Sequence, residues 1–202
     1  MADHQMWDER YSTFKHYYGT EPNDFLREQV GRIRPHGTVL CIADGEGRNS
    51  VWLAKQGFDV TSMDFSPVAL RHAQSLAIEE GVNLRTVQGD LEVWDFGVGT
   101  WDAIVSIWVH MPPSYRGDAH QRCVQALRPG GCFILEAYRP EQISYGTGGP
   151  PEASMMMTSN TLATELAGLD LIVNQELDRS INEGVGHVGM SAVVQVIGVR
   201  PA

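Results

Sequence analysis

Cysteine is scarce in this chain, with three in 202 residues. Cys41, Cys123 and Cys132 have neither the close spacing of a metal site nor the even count of a disulfide framework. Cys41 and Cys132 fall inside apolar strand patterns, where a free cysteine behaves as a small hydrophobe. No apolar run reaches membrane-spanning length. The stretch Met1–Glu9 lacks the basic and apolar segments of a secretory signal. Basic residues are also few: 15 Lys+Arg stand against 25 Asp+Glu, a formal net charge of −10. With no Lys/Arg cluster to neutralise phosphates, nucleic acid is disfavoured as a partner. These absences lead us to expect a cytoplasmic protein with neither a membrane nor a nucleic-acid partner. Internal repeats and interdomain linkers are missing too.

What is present suits one domain spanning 1–202. Hydrophobic residues make up 43% and charged residues 20%, and the length supports a substantial core. Pro22-Asn23-Asp24 opens a short helix over Phe25, Leu26, Val30 and Ile33. A strand near 38–43 is followed by a helix over Val51, Leu53 and Ala54 that stops at Gly57. A strand at 59–64 leads to Ser66-Pro67, a cap with proline at the first helical position. That helix ends at Gly81. Strands follow at 84–87 and 103–109. A helix capped by Ser114 reaches Leu127, and Pro129-Gly130-Gly131 turns into a strand at 132–137. After a helix near 160–168, strands at 170–177 and 191–198 joined by a glycine-rich link suit an antiparallel hairpin at the edge of a parallel sheet. The fold class is therefore α/β: a Rossmann-like, seven-stranded, mostly parallel sheet with helices on both faces. Residues 1–36 read as an N-terminal helical lid and 37–202 as the core.

The segment Val39-Leu40-Cys41-Ile42-Ala43-Asp44-Gly45-Glu46-Gly47-Arg48-Asn49-Ser50 carries the functional signal. It reads as a buried strand, a glycine turn and a helix start, with Gly45 and Gly47 allowing a sharp bend and close ligand approach. Asn49 and Ser50 can cap the helix. The next strand ends in Asp64, placed to grip the two hydroxyls of a ribose in a βαβ nucleoside site. Diphosphate sites present bare amides and a helix N-terminus to negative charge. Here Asp44 and Glu46 interleave with the glycines and suit a cationic nucleoside, which points to S-adenosyl-L-methionine (SAM).

Gly45-Glu46-Gly47-Arg48-Asn49-Ser50 followed by Leu53-Ala54, with Leu127-Arg128-Pro129-Gly130-Gly131 before a strand, resembles the class I SAM-dependent methyltransferases over roughly residues 20–200. Trp7-Asp8-Glu9-Arg10-Tyr11 and Tyr18-Gly19-Thr20-Glu21-Pro22 are similar to the small bacterial tellurite-resistance and thiol-type enzymes. The resemblance implies that Ala43, Asp44, Gly45 and Gly47 line the methionine part of SAM. It implies that Asp64 accepts from the ribose, with Phe65 against the adenine. Asp90 would accept from the adenine amino group, beside Leu91, and Trp108 would lie where cofactor and acceptor meet. The chain departs from the family in having alanine at 43, where a glycine is common, and Cys41 near the position of a common acid. A water or carbonyl is then expected to hold the ammonium.

His110 and His187 are the candidate proton acceptors. Trp7, Tyr11, Tyr18 and Tyr145, with the 145–151 loop, are candidates for a lid over the acceptor. No metal is expected; Met155-Met156-Met157 reads as adaptable packing. The expected activity is methyl transfer to a small-molecule acceptor, a thiol or chalcogen oxyanion, by a monomer or homodimer. The alternatives are O- or N-methyl transfer, a non-catalytic SAM-binding protein, and an NAD(P)-dependent oxidoreductase, which the acidic turn disfavours.

Overall fold

Apolar runs with side chains alternating to opposite faces become strands when both faces are covered. In the computed structural model, which describes residues 4–202, β1 (Thr38–Ile42) does this. Leu40 and Ile42 enter one core with Ile104, Phe133 and Leu135, and Val39 and Cys41 enter the other with Ala103, Val105 and Ile134. The remaining strands are β2 (Asp59–Asp64), β3 (Arg85–Gln88), β4 (Trp101–Ile107), β5 (Leu127–Tyr138), β6 (Asp170–Glu183) and β7 (His187–Val199). Their order is β3-β2-β1-β4-β5-β7-β6. The first five run parallel, and β7 is antiparallel to both β5 and β6.

The helices are α1 (His4–Thr13), α2 (Asp24–Gln29), α3 (Arg48–Lys55), α4 (Pro67–Glu79), α5 (Pro113–Ala126), α6 (Gln142–Tyr145) and α7 (Ser159–Glu165). Phe25 and Leu26 of α2 and Leu53 of α3 pack in one core, while Ala119 and Cys123 of α5, Leu162 of α7 and Leu166 just beyond it pack in the other. Ser66 caps α4 by accepting from the Ala69 amide, with proline at the first helical position. No described helix is long and apolar enough to cross a membrane.

Several local expectations are corrected. Gly47, not Asn49 or Ser50, is the N-cap of α3. Asn49 instead accepts from the Asn23 amide, and Ser50 donates to Asp44. The cap before α5 is Pro112 rather than Ser114. β4 ends at Ile107, and Trp108 turns away from the strand at φ +59°. The glycine-rich link is the tight end of a longer hairpin whose pairing runs out to Glu183↔His187. That length carries the hairpin tip over the carboxyl ends of the parallel strands.

Candidate functional site

Ligands of open α/β sheets lie beyond the carboxyl ends of the strands, where the strand order reverses. Here that point falls between β1 and β4. The first residue beyond each, Ala43 (φ +44°) and Trp108 (φ +59°), holds a left-handed backbone. For a bulky residue this conformation costs roughly 1–3 kcal/mol and persists only where its surroundings impose it. Trp108 is held by its amide donating to the Glu136 carbonyl (2.9 Å), its indole N–H donating to Glu183 (2.6 Å) and stacking on Tyr138 at 4.5 Å.

Two adjoining cavities open there. A smaller one of about 130 Å³ is bordered by Asp64, Phe65, Asp90 and Leu91, and a larger one of about 540 Å³ by Asp44, Gly45, Tyr18 and His187. Trp7, Tyr11, Ala43, Trp108 and His110 border both. Most of the expected residues are thus brought together.

Asp64 is buried and accepts the Gly45 N–H at 2.8 Å and the Ser66 N–H at 2.9 Å, with the Phe65 amide also turned to it. A carboxylate has about four acceptor positions, so Asp64 keeps capacity for a further donor. Burial pushes its carboxyl up to about 6 despite those amides. Burial likewise pushes Asp44 up to about 6, against two hydroxyl donors, Ser50 (2.5 Å) and Ser62 (2.7 Å). Asp90 accepts from the Glu92 amide with one oxygen. This donor-hungry set fits the hydroxyls, amino group and ammonium of SAM. It does not fit a diphosphate: Arg48, the cation nearest the turn in sequence, is committed to Glu183 at 2.5 Å.

Four expectations need correcting. Gly47 borders neither cavity; its missing Cβ makes room for Ala73 of α4, which a Cβ would approach to 2.6 Å. Glu46 borders the larger cavity, but its carboxylate already accepts from the His16 and Tyr17 amides and pairs with His72. It braces the N-terminal segment rather than presenting free charge. Tyr145 also lies outside both cavities, because its hydroxyl donates to Asp178 on the edge strand. The part of its loop that reaches the site is Gly148–Pro151.

His110 is the fourth. Its Nδ1 lies 3.0 Å from the Trp108 carbonyl, and its Nε2 accepts the Tyr138 amide at 3.0 Å. The first bond requires a proton on Nδ1 and the second a lone pair on Nε2, so this ring has none to offer. Burial lowers its pKa to about 4. His187 differs. Its Nδ1 meets the Tyr138 hydroxyl at 2.7 Å. Its ring stacks on Tyr18 at 4.7 Å. Burial first, and the Arg48 charge second, lower its pKa to about 3.

Trp7 and Tyr11 come from α1, pinned above the site by Asp8 accepting from the Ser66 hydroxyl. Beneath the site runs a network that residue typing missed. Glu136 is fully buried on β5 and accepts from Arg179, Gln195 and Asn23. Asn23 and Arg179 also reach Glu183, which ties the hairpin tip to Arg48 and Trp108. A charged residue inside the apolar run Leu135-Glu136-Ala137 is the signal that could have found it, since buried charges are paired.

Residues 39–131 match the family model described as a methyltransferase domain. Glycine N-methyltransferase of Rattus norvegicus is 28% identical over 171 residues, 73% of this chain and 56% of that protein. The chain spans about half the length of the curated relatives it matches. A solved structure described as "Conversion of a Disulfide Bond into a Thioacetal Group during Echinomycin Biosynthesis" superposes with a TM-score of 0.79, at 16% identity, over 98% of this chain and 91% of that one. TehB from Haemophilus influenzae superposes with a TM-score of 0.73, at 18% identity, over 96% and 67%. At those identities the structures share the fold.

Proposed function

We propose that this chain, which carries a class I SAM-dependent methyltransferase domain, transfers a methyl group to a small acceptor through a thiol sulfur or a chalcogen oxyanion. SAM supplies an intrinsically reactive sulfonium methyl. Asp64 and Asp90 would hold its ribose and adenine, and Asp44 with the Gly45 turn its methionine end. The faces of Trp7, Tyr11 and Trp108 favour a cationic sulfonium. Holding two reactants in near-attack geometry can account for roughly 7–11 kcal/mol of the barrier.

The observation that carries the choice of acceptor is that neither histidine at the cavities can serve as a base, while Asp44 and Asp64, raised to about 6, are taken up by the cofactor in this reading. A general base works best with a pKa near the operating pH. His110 has no free lone pair, and His187 is held near 3. An alcohol or phenol would keep its proton here. A thiol, which ionises near neutral pH, or an oxyanion, which is already ionised, needs no strong base.

The test is a panel of thiols, chalcogen oxyanions, halides, amines and phenols incubated with SAM, with S-adenosylhomocysteine (SAH) as the measured product. Turnover is expected with thiols or chalcogen oxyanions, and its pH profile should follow the acceptor's own ionisation. Turnover confined to phenols or amines would replace this reading with O- or N-methyl transfer. Tight SAH binding without turnover on any acceptor would point to a non-catalytic SAM-binding protein.

A further inference from the structure

One cation at the larger cavity is not answered by an acid. Arg10 of α1 borders that cavity and makes no ion pair among the described residues. The other charged groups there are committed. Arg48 pairs with Glu183, and Glu46 accepts from the His16 and Tyr17 amides and pairs with His72. Asp44 accepts from Ser50 and Ser62 and is assigned to the cofactor's ammonium above. His110 and His187 are neutral at neutral pH, because burial lowers them to about 4 and about 3.

Arg10 is also held in place. Its guanidinium carbon lies 4.6 Å from the Trp7 ring centroid and 5.5 Å from that of Tyr17, and its Nη1 donates to the Tyr18 hydroxyl at 2.9 Å. Tyr18 is steadied in turn by stacking on His187 at 4.7 Å. Contact with aromatic rings uses the face of a guanidinium and leaves its in-plane N–H groups for other partners. Arginine has five such donors, and the Tyr18 bond uses one. A planar fork already fixed in this way matches a carboxylate, which it can bind bidentately. Ala43, Trp108 and His110 lie on the wall shared by the two cavities, where cofactor and acceptor would meet, while Arg10 borders the larger cavity alone. A group held by Arg10 is thus set apart from the atom that takes the methyl.

We infer that Arg10 is a specificity-determining residue that holds a carboxylate of the methyl acceptor, so that the preferred acceptor is a thiol with an anionic group apart from its sulfur. This rests on reading the larger cavity as the acceptor site. A neutral thiol forgoes the guanidinium contact. A small chalcogen oxyanion puts its charge and its reacting atom in one place, at odds with that separation. In the transfer the thiol loses its proton to solvent and the thiolate sulfur bonds to the methyl carbon with its own electron pair. The bond from that carbon to the sulfonium breaks, leaving SAH and a methyl thioether.

Binding reads this without turnover. The full chain is saturated with SAH and titrated by calorimetry with mercaptoacetate, 3-mercaptopropionate and 6-mercaptohexanoate, each paired with the mercapto-alcohol of the same length, and with selenite. At least one acid is expected to bind about tenfold or more tightly than its alcohol, the scale of a hydrogen bond to a charged group. Arg10→Gln should remove that preference and leave the alcohols, SAH and the melting temperature near wild type. Arg10→Lys, which keeps the charge without the fork, should retain part of it. With SAM in place of SAH, Arg10→Gln should act on the KM of the acid more than on kcat. A wild type that binds every acid no better than its alcohol overturns the inference, as does a preference that survives Arg10→Gln. So does an Arg10→Gln that weakens acid and alcohol alike, the mark of a brace for α1, or selenite bound through Arg10 more tightly than every acid. An Arg10-dependent preference with no turnover from SAM would contradict methyl transfer and leave the carboxylate site standing. If SAH does not bind, the cofactor reading fails, and the same titrations on the free chain still decide the carboxylate site.

Discussion

Gly45→Val should abolish cofactor binding in a protein that still folds. Gly45 sits at φ +62°, a region that costs a β-branched residue roughly 1–2 kcal/mol or more. Its amide donates to Asp64, so any backbone shift that relieves the strain also moves the acid expected at the ribose. A Cβ here would come within 2.9 Å of the Tyr11 hydroxyl, on the wall between the two cavities. Valine adds more bulk in the same direction. The expected result in calorimetry is a loss of SAH affinity of about 100-fold or more, equivalent to some 2.7 kcal/mol. Circular dichroism should show an intact fold, because the turn lies at the end of the sheet rather than within it. Wild-type affinity in the folded variant would remove this turn from the cofactor site.

SAH affinity should also rise with pH through about 6. Burial raises Asp44 and Asp64 from 3.8 to about 6 in the folded protein. An acid with a raised folded pKa binds more protons folded than unfolded between those values. The stability it contributes when protonated is therefore lost as pH climbs from about 4 to about 6. The cofactor's hydroxyls and ammonium favour the ionised carboxylates, so binding releases protons below pH 6. Affinity at pH 5 should be about tenfold weaker than at pH 7 for each group that must ionise. Asp64→Asn should flatten the profile, since one of the two groups no longer titrates. It should also weaken binding at pH 7 by about 1.5–3 kcal/mol, the usual net worth of a hydrogen bond to a charged group. A flat wild-type profile, or unchanged affinity in Asp64→Asn, would take Asp64 out of the site.

The parts of this fold that the sequence makes legible are those decided by neighbouring residues. β1 and its turn, the Ser66-Pro67 start of α4 and the acid ending β2 all follow from short-range apolar pattern, proline and glycine. The parts that were not legible depend on contacts far away in the chain. Trp108 continues an apolar run and reads as strand, yet it turns because Glu136, Glu183 and Tyr138 capture its amide, indole N–H and ring. β6 exposes much of its length at the sheet edge, and its residues Asp178, Arg179, Ser180 and Asn182 read as loop. Its full length appears only through pairing with β7.

The candidate site divides in the same way. Asp64 and Asp90 lie where the strand pattern puts them. Gly47 looks like a ligand glycine but serves helix packing, because only the three-dimensional approach of Ala73 shows what its missing side chain admits. His110 looks like a base until its two backbone partners are counted. Tyr138 carries no local signal. It matters because β5 and β7 are neighbours and its hydroxyl meets His187.

Ligand-induced stabilisation tests the central claim most directly. The full chain is heated with SAM, SAH, NAD or NADP, and the melting temperature is read for each. A ligand at 100 times its Kd stabilises by about 2.7 kcal/mol. For a domain of this size that is a rise of roughly 5–11 °C. Such a rise is expected with SAM and SAH and none with NAD or NADP. A rise with NADP, and none with either sulfur compound, would contradict it.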